Sequence, residues 1–289
     1  MRLIRTVTCV SWLLSASLVT FVSAQTDKPR SSSPVSLIIR TDDIGMSHSV
    51  NMAMQKLVST GMPVSVSVLF ACPWYQEAVE ILKQHPNVSV GIHLALNSEW
   101  KNYRWGPVAG SAAVPSLVDE NGFFFPSSEA LHQHNPSVAE VEKELRAQID
   151  RALRSGVKID FETLRSLSEV AREYGLGMSG YFGETMDAPQ YAAAPDRKGD
   201  SLAAFINRLQ PGLNAVVTHV GIDDAELGAL LDMNTDEPLP NMSKNRQGEL
   251  TALTSPRFSA GLKARNVVLV TYRDVIAKEG LQSMRRPVE

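Results

Sequence analysis

The chain has 289 residues, 44% hydrophobic and 20% charged, with a formal net charge of −3. This is globular composition with enough chain for a sizeable core, and its acidic balance excludes the basic footprint of a nucleic-acid binder. Arg2 and Arg5 precede a largely apolar run from Val7 to Val22, and Val22-Ser23-Ala24 forms a small-residue cleavage pattern before Gln25. Residues 1–24 therefore read as a signal peptide, and the expected location is periplasmic or extracellular. Its removal takes away two arginines and no acid, so the net charge moves from −3 to −5. Cys9 leaves with it, so Cys72 stands alone and no internal disulfide is expected. Residues 25–34 (QTDKPRSSSP) read as a polar linker. Residues 35–289 read as one domain, and no later stretch is long enough to insert stably in a membrane.

The domain opens on Ser36-Leu-Ile-Ile-Arg-Thr-Asp-Asp-Ile-Gly-Met-Ser47, a strand running into two adjacent carboxylates. Neighbours on an extended backbone point to opposite sides, so Asp42 and Asp43 can do different work, such as holding a metal and moving a proton. Ser47 reads as a helix N-cap, with Val50, Met54, Leu57 and Val58 on one face and Gly61 closing the helix. Val64 to Phe70 alternates as a strand, Pro73 opens a second helix, and Val88 to Leu96 is a third strand. The order β-α-β-α-β with short connections implies parallel strands with helices outside.

Residues 97–135 break that rhythm with Trp100, Tyr103, Trp105, Phe123 to Phe125, His132 and His134. Exposed Trp and Tyr in so long a loop suit the apolar faces of sugar rings, whereas the three Phe suit a small core beneath the loop. Val138 to Leu153 is an amphipathic helix with Val138, Val141, Leu145, Ile149 and Leu153 on one face. Ser137 and Glu140 have capping-box spacing, and Gly156 ends the segment. A short strand at 157–160, a helix over 161–174 with Leu164, Leu167, Val170 and Ala171 inward, and a strand at 176–182 follow. After a loop over 183–199 come a helix at 202–209 and a strand at 214–220. An irregular acidic loop over 221–245 leads into helix over 247–264, a strand at 267–271 and a last helix at 272–278. The fold class expected is α/β, a distorted (β/α) barrel.

In such barrels chemistry gathers at the C-terminal strand ends. Asp42, Asp43, His93, Glu184 and His219 all fall at or after such ends. Two acids and two imidazoles on one rim fit metal-assisted hydrolysis, with a carboxylate taking a proton from water and an imidazole protonating the leaving group. No G-x-S-x-G elbow, P-loop or G-x-G-x-x-G fingerprint occurs.

Thr41-Asp-Asp-Ile-Gly45, Gly91-Ile-His-Leu94, Thr218-His-Val-Gly221, Arg246-Gln-Gly-Glu249 with Leu253, and Glu144-Leu-Arg-Ala-Gln148 together resemble the YdjC-like (ChbG/HpnK) family of carbohydrate deacetylases. The resemblance covers about residues 35–280. It implies Asp42 as general base, His219 as acid, and Asp43 and His93 as ligands of a divalent ion, Mg²⁺ or Zn²⁺. It also implies an acetylated carbohydrate substrate, and Trp100, Trp105, Arg246 and Glu249 are expected to bind it. The assembly is left open to a homodimer. Val220 stands where the family usually has Pro. The family's third ligand comes from a D-S-H-type motif after the long amphipathic helix. Here Asp160 passes directly into Phe161-Glu-Thr-Leu-Arg165, as if that segment were shortened, and no His lies between His134 and His219. His132, His134, Asp160 and Glu184 are the alternatives for that third position. A sugar-binding protein without catalysis is the rival expectation.

Overall fold

The computed structural model describes residues 34–163, 168–234 and 242–285; the leader expected at 1–24, and residues 25–33 of the expected linker, lie outside them. The first strand, β1 (Val35–Ile44), is the axis of the fold. It pairs in parallel with β2 (Ser65–Val68) on one side and β7 (Gly212–Thr218) on the other. The helices α1 (His48–Val58) and α2 (Tyr75–Lys83) lead from β1 to β2 and from β2 to β3 (Ser89–Ile92). The sheet continues through β4 (Ile159–Glu162) to β5 (Gly177–Met178), while β6 (Thr185–Asp187) extends it beyond β7. The strand order is β5-β4-β3-β2-β1-β7-β6, with β8 (Val268–Val270) added to the start of β1. Every ladder between the described strands is parallel, and the sheet curls into a half-barrel with helices around it.

Alternation along β1 divides the interior. Leu37 and Ile39 belong to the large core under the helices, whereas Ile38 belongs to a second cluster with Phe161, Met178, Ala215 and Tyr272. Arg40 and Asp42 follow Ile38 at period two, so the second face becomes polar toward its C-terminal end. The close spacing there depends on Gly91: a Cβ on it would lie 2.4 Å from the Phe161 ring.

Between β3 and β4 lie a short helix, α3 (Ser128–Gln133), and the long α4 (Val138–Leu153). The apolar face of α4 is shorter than its pattern implies, because Val138 and Leu153 are exposed and the buried positions include Glu144 and Gln148. These two polar residues hold the loop before them: Glu144 accepts from the Val108 and Ala109 amides, and Gln148 exchanges two bonds with Ala95. Ser137 is the N-cap by position but makes no capping bond with its side chain; Glu140 instead accepts from the Ser116 amide.

The stretch from 161 departs most from the periodicity. Phe161 and Glu162 complete β4, and among the described residues the helix of this stretch is α5 (Ser168–Glu173). Phe161 is drawn into the sheet by burial against Tyr272, whose ring centroid is 4.5 Å away. Leu164 and Leu167 lie outside the described residues, as does the Val170 side chain. The loop expected at 183–199 contains β6 and the start of α6 (Lys198–Arg208). The irregular stretch at 221–245 contains α7 (Ala225–Gly228) and the start of α8 (Met242–Leu253). A second helix, α9 (Pro256–Ala264), begins where Pro256 breaks α8, and α10 (Tyr272–Glu279) closes the fold.

Candidate active site

The carboxylate pair at the end of β1 is not simply extended. The register with β2 shifts between Thr41 and Ile44, and Asp43 takes φ +64°, in the left-handed region. Such a conformation is costly for a non-glycine residue and persists where surrounding bonds over-determine it. Here the Gly45 amide donates to Asn51 Oδ1 and the Met46 amide to the Asp43 carbonyl, fixing the turn into α1. The local twist separates the two acids as alternation alone suggested, but through a bulge.

Asp42 is buried and faces Arg40, two residues back on the same strand. Arg40 Nε donates to Oδ1 at 2.9 Å and Nη2 to Oδ2 at 2.6 Å. Arg40 Nη1 continues to Ser179 Oγ, which bonds the Tyr272 hydroxyl, which in turn donates to Glu184. Burial acts to raise the Asp42 pKa, but Arg40, His93 and His219 outweigh it and hold the carboxyl below its usual range. Asp43 behaves the same way for a different reason: against the effect of burial, Arg246, His219 and His93 keep it ionised.

Asp43 Oδ1 lies 3.4 Å from His93 Nε2, and Asp43 Oδ2 accepts from Arg246 Nη2 at 2.6 Å. His93 follows β3, and its amide is tied to the Val68 carbonyl. His219 follows β7, and its amide donates to Glu249 Oε2 at 2.7 Å. Arg246 and Glu249 stand three apart on α8, hence on one helix face. Gly221 admits that helix to the rim, since a Cβ there would lie 2.4 Å from Leu227 and 2.8 Å from Arg246 Cβ. Lys198 Nζ, fully buried, reaches Glu249 Oε1 at 3.4 Å and the Gln190 carbonyl at 2.6 Å.

These groups line a cavity of about 290 Å³ at the C-terminal rim. It brings together Asp43, His93, His219, Arg246, Glu249, Trp100 and Trp105; Asp42 lies behind it. Both tryptophans are walls, not exposed platforms. Trp100 is 4% and Trp105 5% exposed, because the loop folds inward and, with Phe124 and Phe125, joins the main core. The exposed aromatic at the mouth is Tyr191, 69% exposed, whose ring stands edge-on to His219 at 6.1 Å between centroids. Backbone bonds from Lys101 to Leu231 and from Met233 to Glu99 close one wall.

Glu99, Tyr191 and Lys198 were not foreseen in this cavity. Glu99 sits in the loop beside Trp100, and burial, then the Asp43 charge, pushes its carboxyl up to about 7. Glu162 was also missed. It ends β4 opposite Ile92, next to His93 in the ladder, and is buried. Its signal was its place at a strand end, hidden by reading 161–174 as helix.

Asp43 and His93 meet as two donors of the kind that hold a divalent ion. A catalytic zinc ordinarily takes three protein ligands. Among the described residues no group of three His, Cys, Asp or Glu is placed to hold an ion. His134 Nδ1 is bonded to the Ala130 carbonyl, Asp160 to Arg273, and Glu184 to the Gly180 and Phe182 amides. The second oxygen of Asp43 carries a guanidinium. The described donor set therefore does not complete a centre for Mg²⁺ or Zn²⁺.

The YdjC-like protein family model matches residues 36–167. Carbohydrate deacetylase 1 of Listeria innocua serovar 6a is 26% identical over 255 residues, covering 83% of this chain and 99% of its own. A carbohydrate deacetylase of Geobacillus stearothermophilus is 28% identical over 267 residues, covering 82% and 96%. Among solved structures, a candidate cellobiose-phosphate cleavage protein from Enterococcus faecalis V583 superposes with a TM-score of 0.69 at 21% identity, over 84% of this chain and 99% of that one. The last likeness is one of fold: the same distorted (β/α) barrel. The chain thus resembles the YdjC-like family over residues 36–167 and is similar, over most of its length, to the carbohydrate deacetylases of Listeria and Geobacillus.

Proposed function

We propose that the chain removes acetyl groups from N-acetylated amino sugars, acting outside the cytoplasm after loss of its leader. The observation that carries this reading is one rim cavity that joins the Asp43–His93 pair, His219 and aromatic walls. Its volume, about 290 Å³, is at the low end for a small-molecule site, which suits one or two sugar units of a chito-oligosaccharide. In the reaction, water oxygen bonds to the acyl carbon while a carboxylate takes the water's proton. The carbon–nitrogen bond then breaks, His219 delivers a proton to the nitrogen, and acetate and a free amine leave. Arg246 and Lys198 supply positive charge for the oxygen that becomes anionic.

Two carboxylates suit the base role. Asp42 has it by family resemblance, but both its oxygens are engaged by Arg40. Glu99 lines the cavity, and its pKa of about 7 matches a general base at neutral pH. The test is acetate release from N-acetylated chito-oligosaccharides by the purified chain, run with chelator and with added Mg²⁺ or Zn²⁺. No release across a panel of acetylated sugars under either condition sinks the reading.

The second reading is a sugar-binding member of the family without turnover. The arginine held by each of the two acids favours it. It predicts saccharide binding that survives EDTA and Asp42→Asn, with no acetate formed.

A further inference from the structure

We propose that the guanidinium of Arg246 is the resident cation at Asp43, and that a divalent ion competes with it for that carboxylate. The proposal rests on identifying this cavity as the reaction site, but its test reads no turnover.

Arg246 can stand in for a cation but cannot hold one. A guanidinium has five N–H donors and no lone pair, and it keeps its charge in proteins. Its Nη2 lies 2.6 Å from Asp43 Oδ2, with side-chain exposures of 8% and 14% for the two residues. An ion held by Asp43 Oδ1 and His93 Nε2 would face this fixed positive charge across one carboxylate. An ion taking both oxygens would displace Nη2.

Displacement is costly because Arg246 has nowhere else to turn. Its Nε donates to Met242 Sδ at 3.0 Å, a weak acceptor, and its Nη1 is buried with no acceptor among the described residues. Asp43 is the acidic side chain paired with it there. Losing that partner strands a buried charge, which is strongly unfavourable. The position is itself built: α8 is brought to the rim through Gly221, whose amide donates to the Arg246 carbonyl. A positive charge thus stands beside His93 and His219 with no ion bound, where a carbonyl oxygen gaining charge would need one.

The experiment is calorimetric titration of chelator-treated full-length protein with Zn²⁺ and separately with Mg²⁺. The variants are Arg246→Gln, Arg246→Lys, Asp43→Asn and the double change Asp43→Asn/Arg246→Gln, with circular dichroism as the check on folding. The Zn²⁺ affinity that depends on Asp43 is expected to be weak in the unaltered chain and to tighten at least about tenfold in Arg246→Gln, as removal of an adjacent like charge requires. Arg246→Lys keeps the charge and is expected not to gain, and the double change is expected to abolish the gain. Tight Zn²⁺ or Mg²⁺ binding by the unaltered chain, at one ion per chain and with a dissociation constant below about 1 µM, overturns the proposal even if no variant folds. Equal affinity in the unaltered chain and Arg246→Gln overturns it as well.

Discussion

Arg246 and Asp43 are 203 residues apart in sequence and form a buried ion pair with Nη2 2.6 Å from Oδ2. The pair joins α8 to the end of β1, the strand on which the sheet is organised. Removing one partner of such a pair leaves the other uncompensated, so Asp43→Asn and Arg246→Gln are each expected to destabilise the fold by about 3–5 kcal/mol. Urea unfolding of both single variants and the double variant checks this. A double variant less destabilised than the two singles combined is the expected mark of direct coupling.

The pH profile separates the two candidate bases. If Glu99 takes the proton, it must be ionised, so kcat/KM rises with pH through about 7. If Asp42 takes it, that limb lies below the usual carboxylate range, because Arg40, His93 and His219 together outweigh the effect of burial. Glu99→Gln removes a limb near 7 in the first case and leaves the profile unchanged in the second. Rate measurements from pH 5 to 9 decide.

Glu99 also carries a stability prediction with a defined sign. Its folded pKa is raised above the ordinary value of 4.5, so the fold favours its protonated form. The stability from this group is fully present below about pH 4.5 and is lost as pH rises through about 7. Glu99→Gln should therefore leave stability nearly unchanged at pH 4 and raise it at pH 8, by about 1–3 kcal/mol. Thermal unfolding at the two pH values measures it.

Tyr191 is the exposed aromatic at the cavity mouth, so its loss should affect ligand more than fold. Tyr191→Ala is expected to weaken oligosaccharide binding about tenfold, the scale of one aromatic contact, with a melting temperature close to that of the unaltered chain. Trp105→Ala should do the reverse, since Trp105 is buried in the main core and its truncation should cost about 3–5 kcal/mol. Saccharide titration beside thermal unfolding distinguishes wall from platform.

Gly91→Ala tests how packing supports the site. The added methyl would meet the Phe161 ring at 2.4 Å, two residues before His93. Overpacking of this kind costs about 1–3 kcal/mol and should also displace His93, so both stability and turnover are expected to fall.

The parallel order of strands and helices was legible because hydrophobic period and turn residues change together along the chain. The rim residues Asp43, His93 and His219 were legible because each stands at or just after a strand end. The Arg40–Asp42 pair was readable in principle, since residues two apart on a strand share a face. Arg246 on Asp43 was not, because contact across 203 residues depends on how α8 is carried to the rim. The assignment of 161–174 failed where burial of Phe161 against Tyr272 overrode an apparent helical period. The exposure expected of the tryptophans was overridden in a related way: the aromatic loop folds inward and joins the main core.

The central claim is that this cavity hydrolyses an N-acetyl group. Its most direct measurement is acetate released per chain from N-acetylated chito-oligosaccharides, compared with His219→Ala under the same conditions. The account predicts multiple turnovers by the unaltered chain and a loss of at least about a hundredfold in the variant. Saccharide binding with no acetate above the variant's background would contradict it and leave the protein a binder on a deacetylase fold.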